Sequence, residues 1–223
     1  TTKDIHPLYA ELERRFSVTF AAGLSVAALY LPFGAQPPSW PRSVMKTAPL
    51  VLFALAAWQM GAHPYLTFAL VLSAAGDFAL SRAGQRAFLL GLSAFALAHL
   101  AYTLLFLGIS KRALWEPFAL VPWAAPGLLL FALSSERWLA PHTGALRWPV
   151  RVYVVLITAM GLAALSWPLG MLTLGAGVFI LSDFILSLQL FRMADDHPMQ
   201  RAAGRAVWIS YITGQALILL SAT

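Results

Sequence analysis

The chain has 223 residues, 60% of them hydrophobic and 11% charged, with a mean hydropathy of +0.73. Soluble domains carry about 25% charged residues, so the composition excludes an ordinary soluble domain and points to a polytopic membrane protein. The absence of cysteine excludes disulfides, thiol catalysis and thiolate metal sites. The net charge of +6 sits at segment ends, which reads as membrane-topology charge rather than a nucleic-acid surface.

A membrane-crossing helix needs about 20 mostly apolar residues. Eight runs meet that length, at about 16–33, 43–60, 65–81, 87–109, 117–133, 149–167, 168–191 and 205–222. The first begins near Phe16 behind a polar segment, without a small-residue cleavage site, so no cleavable leader is expected. Pro37, Pro38 and Pro41 punctuate the first connection. His63-Pro64, Gly84 and Trp167-Pro168-Leu169-Gly170 mark further turns. Pro122 and Pro126 predict a kink in the fifth run. The expected fold is all-α: a polytopic membrane bundle of eight transmembrane helices, forming a single domain over 1–223.

The third and seventh runs carry near copies of one hexapeptide. Gly76-Asp77-Phe78-Ala79-Leu80-Ser81 and Ser182-Asp183-Phe184-Ile185-Leu186-Ser187 lie 106 residues apart. The other acids (Asp4, Glu11, Glu13, Glu116, Glu136, Asp195 and Asp196) fall in termini, loops or helix ends. A carboxylate at the centre of a span costs roughly 2.5–3.5 kcal/mol on insertion scales, so its presence usually has a functional reason. The repeat extends outward. Arg42 and Lys46 open the second run, and Arg147 and Arg151 open the sixth; Tyr102 in the fourth answers Tyr211 in the eighth. Four spans per half predict two parallel four-helix repeats, about 16–109 and 117–222, around an axis along the membrane normal. Asp77 and Asp183 then face each other across a central cavity, with Lys46 and Arg151 in the same leaflet. The odd-numbered connections hold most of the bases, so the positive-inside rule places them in the cytoplasm, although Lys3, Arg14 and Arg15 oppose that orientation.

Two carboxylates in a poorly solvated site cannot both ionise easily. One can hold a proton while the other stays charged, which supplies a general acid and a base or cation stabiliser. The competing reading is structural, each acid pairing with a base or hydroxyl to fix packing. Lys46 is a candidate phosphate ligand, Arg151 a weaker one, and headgroup snorkelling is their alternative. His99 and Tyr102 share one face of the fourth run at i and i+3, and Tyr211 and Gln215 one face of the eighth at i and i+4. Site roles compete there with interhelical hydrogen bonding. Ser182, with Ser73, Ser81 and Ser187, can reach an aspartate or a helix carbonyl. Gly175, Gly177, Gly204 and Gly214 read as close-packing positions. No H-E-x-x-H spacing and no G-x-S-x-G elbow occurs, so neither a metal site nor a serine triad is expected.

These residues carry a resemblance to the YhhN-like lysoplasmalogenases. The matching stretches are Met45-Lys46-Thr47-Ala48-Pro49, the Gly76-Asp77 block, Phe88 to Tyr102 with His99, Phe179-Ile180-Leu181-Ser182-Asp183, and Tyr211 to Ile218 with Gln215. They occur in order over about residues 40–220. The resemblance implies eight helices and hydrolysis of the vinyl-ether bond of a lysoplasmalogen, a lysophospholipid, to a fatty aldehyde and a glycerophospho-alcohol. Asp77 and Asp183 would be catalytic, and Lys46, His99, Tyr102, Arg151, Ser182, Tyr211 and Gln215 would bind substrate. No metal and no cofactor is required, the partners are the lipid bilayer and the lysophospholipid, and nucleic acid is not one of them. The expected location is a bacterial inner membrane. A small proton-coupled transporter using the same aspartates is the competing function, and a membrane scaffold the third; oligomeric state is left open.

Overall fold

The computed structural model describes residues 17–34 and 36–223, and the polar N-terminal segment before Ser17 lies outside them. All regular structure among the described residues is helical. Helix α1 spans Val18–Tyr30, α2 Trp40–Gln59, α3 Pro64–Leu80 and α4 Gln85–Ser110. A single turn at Pro117–Leu120 precedes α5, Ala124–Trp138; α6 then spans Arg147–Ala164, α7 Met171–Phe191 and α8 Gln200–Ser221.

Local sequence sets the ends. The Ser17 hydroxyl accepts the Phe20 amide at 3.1 Å and caps α1, and Ser39 does the same for α2 with Arg42 at 3.4 Å. Pro64 starts α3, where its missing N–H costs nothing. Gly84 precedes α4 at φ 102°, which favours a residue without Cβ. The fifth run is broken rather than kinked. Pro122 lies between the Pro117–Leu120 turn and α5, where it lacks the N–H a continuous helix needs.

Two helix pairs dominate the packing, α3 with α4 and α7 with α8. Glycines let both pairs approach. A Cβ on Gly76 would meet the Phe95 ring at 2.6 Å, and one on Gly214 would meet the Gly175 carbonyl at 2.9 Å. Gly175 and Gly214 are thus close-packing positions. Gly177 is not, because nothing lies within 4 Å of a Cβ there. α4 also packs on α6 and so joins the two halves of the chain, while α5–α6 and α6–α7 touch much less. The core between these helices holds Phe53, Leu70, Tyr102, Phe106, Met160, Phe179 and Ile218.

The molecule is an integral membrane protein. Four helical stretches among the described residues are long and apolar enough to cross a bilayer: Gln85–Ser110, Gly144–Ala164, Met171–Phe191 and Gln200–Ser221. Val18–Tyr30 and Pro64–Leu80 are apolar but shorter. This is fewer than the eight spans expected. α2 spends its first turns on Arg42 and Lys46, and the break at Pro122 shortens α5 to 15 residues. Exposed tryptophans stand at helix ends, including Trp40, Trp58, Trp123 and Trp148. That is where an amphipathic ring meets a membrane–water boundary.

Candidate functional site

One cavity of about 270 Å³ receives both motif aspartates. Asp77 comes from α3 and Asp183 from α7, with Lys46 from α2, Tyr153 from α6 and Tyr211 from α8 on the same wall system. Most of the lining is apolar. α5 contributes Leu128, Phe131 and Trp138, α6 Val150, Val154 and Ile157, and α7 Ile180 and Phe184. The α6 set recurs at helical spacing, so one face of that helix is given to the cavity.

Each carboxylate is gripped by one residue from its own half and one from the other. Asp77 Oδ1 lies 3.6 Å from the Lys46 ammonium, and its Oδ2 accepts the Tyr211 hydroxyl at 2.8 Å. Asp183 Oδ2 accepts the Tyr153 hydroxyl at 2.5 Å and lies 3.3 Å from His99 Nε2. His99 Nε2 is also 2.9 Å from the Tyr153 oxygen, and its Nδ1 is 3.3 Å from Met160 Sδ. Lys46 and Tyr153 therefore hold corresponding places beside the two acids. Tyr211 and His99 each cross from the last helix of the opposite half.

The remaining expected site residues divide. Ser182 is buried and lines the cavity. Tyr102 and Gln215 lie outside the lining. The Tyr102 hydroxyl donates to Gln215 Oε1, and Gln215 Nε2 donates to Ser73 Oγ at 3.0 Å, tying α4, α8 and α3 together. Arg151 also lies outside it, donating to Glu136 at 2.5 and 2.9 Å and stacking over Trp148 at 4.8 Å. Val150, Tyr153 and Val154 face the cavity, and Arg151 projects about 100° from Val150 around a helix with 3.6 residues per turn. The register that pairs Arg151 with Lys46 is two residues short of the spatial one, so Tyr153 occupies the place beside the second acid. Similarly, His99, not Tyr102, reaches Asp183 as Tyr211 reaches Asp77. Ser73, Ser81 and Ser187 bond helix carbonyls or, for Ser81, the Ser43 hydroxyl at 2.7 Å, rather than an aspartate.

The YhhN family model matches residues 41–222, which contain every residue just described. The chain belongs to the YhhN family. Its relatives include a protein of Mycobacterium bovis named lysoplasmalogenase, 32% identical over 90% of this chain and 78% of that protein. The human protein named lysoplasmalogenase TMEM86A is 33% identical over 91% of this chain and 86% of its own. An Escherichia coli membrane protein, YhhN, is 31% identical over 76% and 81% respectively. No solved structure matches this YhhN-family chain. Tyr153, which holds Asp183, is a cavity residue that sequence reasoning passed over. Its signal was a phenol at Val150+3 on a mostly apolar helix face.

Proposed function

We propose that this YhhN-family protein is a membrane hydrolase that cleaves the vinyl-ether bond of lysoplasmalogens by paired-aspartate acid–base catalysis. The observation that carries the reading is the cavity itself, with two carboxylates from different helices set in an apolar enclosure. The relatives named lysoplasmalogenase support the same chemistry.

A vinyl ether is cleaved by protonating the carbon distal to oxygen, which leaves an oxocarbenium ion. Water adds to that ion, and the hemiacetal collapses to an aldehyde and an alcohol. A protonated carboxyl can donate the first proton, and an ionised one can stabilise the cation and orient water, as two carboxylates do in glycoside hydrolysis. The apolar walls suit the alkenyl tail. Lys46 uses one direction of its ammonium on Asp77, and its other donors suit a lipid phosphate. We assign the protein eight membrane crossings in two parallel four-helix repeats, in a bacterial inner membrane. The crosswise grip on the two acids supports the repeats, and the short apolar α1 and α3, about 20 and 26 Å long, cross where the bilayer thins locally around them. Both acid-bearing helices run unbroken through the aspartates, unlike the interrupted helices common at transporter sites.

The test is aldehyde release by purified protein in detergent, with no second compartment and no gradient. Release from a lysoplasmalogen supports the reading. Its absence, with the protein folded, removes the reading.

A further inference from the structure

Resting on the hydrolase reading, the geometry points to a fixed division of labour: Asp183 passes the proton, Asp77 remains the anion beside the developing cation, and Tyr153 and His99 position Asp183. The two acids differ in whether their hydrogen-bond partners can reverse direction. Asp77 is held by the Lys46 ammonium, which can only donate, and by the Tyr211 hydroxyl donating at 2.8 Å. A carboxyl proton on Oδ1 would face a cation that cannot accept it. One on Oδ2 would displace the Tyr211 proton from the carboxylate it donates to, with no histidine among the described residues beside Tyr211 to take it as His99 does for Tyr153.

Asp183 has partners that can reverse. With Asp183 ionised, Tyr153 donates to it at 2.5 Å, and the tyrosine oxygen accepts the His99 Nε2–H across 2.9 Å. With Asp183 protonated, its O–H donates to the tyrosine oxygen. The tyrosine proton then turns to His99 Nε2, and the ring proton resides on Nδ1 against the Met160 sulfur, 3.3 Å away. The chain of hydrogen bonds is complete in both directions, so Asp183 can be acid and then base without leaving a buried donor unpaired. The other charged and titratable groups facing it are Asp77 and Lys46 across the cavity, with Tyr211 from α8. α5 faces it with Phe131, Ser135 and Trp138, while Glu136 turns away to Arg151.

The step balances. The Asp183 O–H bond breaks as the C=C π pair forms a C–H bond at the distal vinyl carbon, and a lone pair of the ether oxygen closes the oxocarbenium. Water adds, returning one proton to the Asp183 carboxylate. The hemiacetal O–H then loses its proton as the bond to the glycerol oxygen breaks, and that oxygen takes a proton. One water is consumed, and nothing is oxidised.

The experiment is the pH profile of kcat/KM for aldehyde release by full-length wild type, Asp183→Asn, Asp77→Asn, Tyr153→Phe and Tyr211→Phe. With Asp183→Asn the plateau should vanish and the residual rate should follow hydronium concentration, falling about tenfold per pH unit. Asp77→Asn should keep the plateau at a lower height. Tyr153→Phe should move the edge of the plateau, whereas Tyr211→Phe should leave the edge in place and lower the height. The tyrosine pair, each losing one hydroxyl, decides the matter if an aspartate variant does not fold. A plateau lost in Asp77→Asn and kept in Asp183→Asn, a plateau lost in both, or an edge moved by Tyr211→Phe and not by Tyr153→Phe overturns the assignment. A wild type that releases no aldehyde overturns the hydrolase reading itself.

Discussion

Asp77 and Asp183 occupy the same motif in two helices, yet their surroundings differ in packing as much as in chemistry. Around Asp77, α2 and α4 close tightly on α3, and the side chain is 3% exposed. Around Asp183, α5 and α6 stand off from α7, and the side chain is 13% exposed. α5 buries only Ala125 and Ser135 among its own residues, while α4 buries Phe95, His99, Tyr102, Phe106 and more. The cavity lies where the second half is loose. The tight half fixes Asp77 in place, and the loose half leaves open space beside Asp183.

The largest expected effect comes from abolishing either acid. Asp183→Asn should lower turnover by about 10²–10⁴-fold, the range for a positioned acid or base, and Asp77→Asn should also lower it severely by removing the charge that stabilises the cation. Melting in detergent should show whether the fold is kept. Near-normal turnover in a folded variant would contradict the assignment.

The packing contrast can be broken by one chemical change made twice. Ala57 is fully buried in α2, whereas Ala132 lines the cavity from α5. Ala57→Phe should overpack the core and cost about 1–3 kcal/mol, read as lost thermal stability. Ala132→Phe should leave melting nearly unchanged and raise KM for long-chain substrates, because it fills space a tail would use. Equal destabilisation by both changes would mean that the two regions are packed alike.

Smaller effects sharpen the comparison at the bases. Lys46→Met should raise KM for a phosphate-bearing lysolipid more than it lowers kcat, and should matter much less for a vinyl-ether glycerol lacking phosphate. Equal damage to both substrates would confine Lys46 to holding Asp77. Arg151→Met removes an exposed pair with Glu136 and should change neither KM nor kcat measurably. A clear rise in KM would return Arg151 to the headgroup site.

The helices and the two acids were legible because apolar runs and an intramembrane carboxylate are strong local signals. The shared cavity was expected from the repeated hexapeptide, and both acids line one cavity. The crossed partners were less legible, because an offset that aligns one pair of motifs does not hold at the next when loops differ in length. Lys46 and Tyr153 show this. The offset that aligns the bases selects Arg151, yet a shift of two residues turns a helix by about 200° and brings Tyr153 to the acid. The break at Pro122 was anticipated as a kink, since sequence does not reveal whether neighbouring helices will satisfy the freed backbone groups.

The most direct test of the central claim is hydrolysis in D₂O by purified protein in detergent, using a lysoplasmalogen and its saturated alkyl-ether analogue, sampled early in the reaction. The account predicts equimolar fatty aldehyde and glycerophospho-alcohol from the vinyl ether, with one deuterium on the carbon next to the carbonyl, and no cleavage of the saturated ether. Aldehyde without that deuterium, or equal cleavage of the saturated ether, would contradict protonation at the distal carbon and with it the paired-aspartate mechanism.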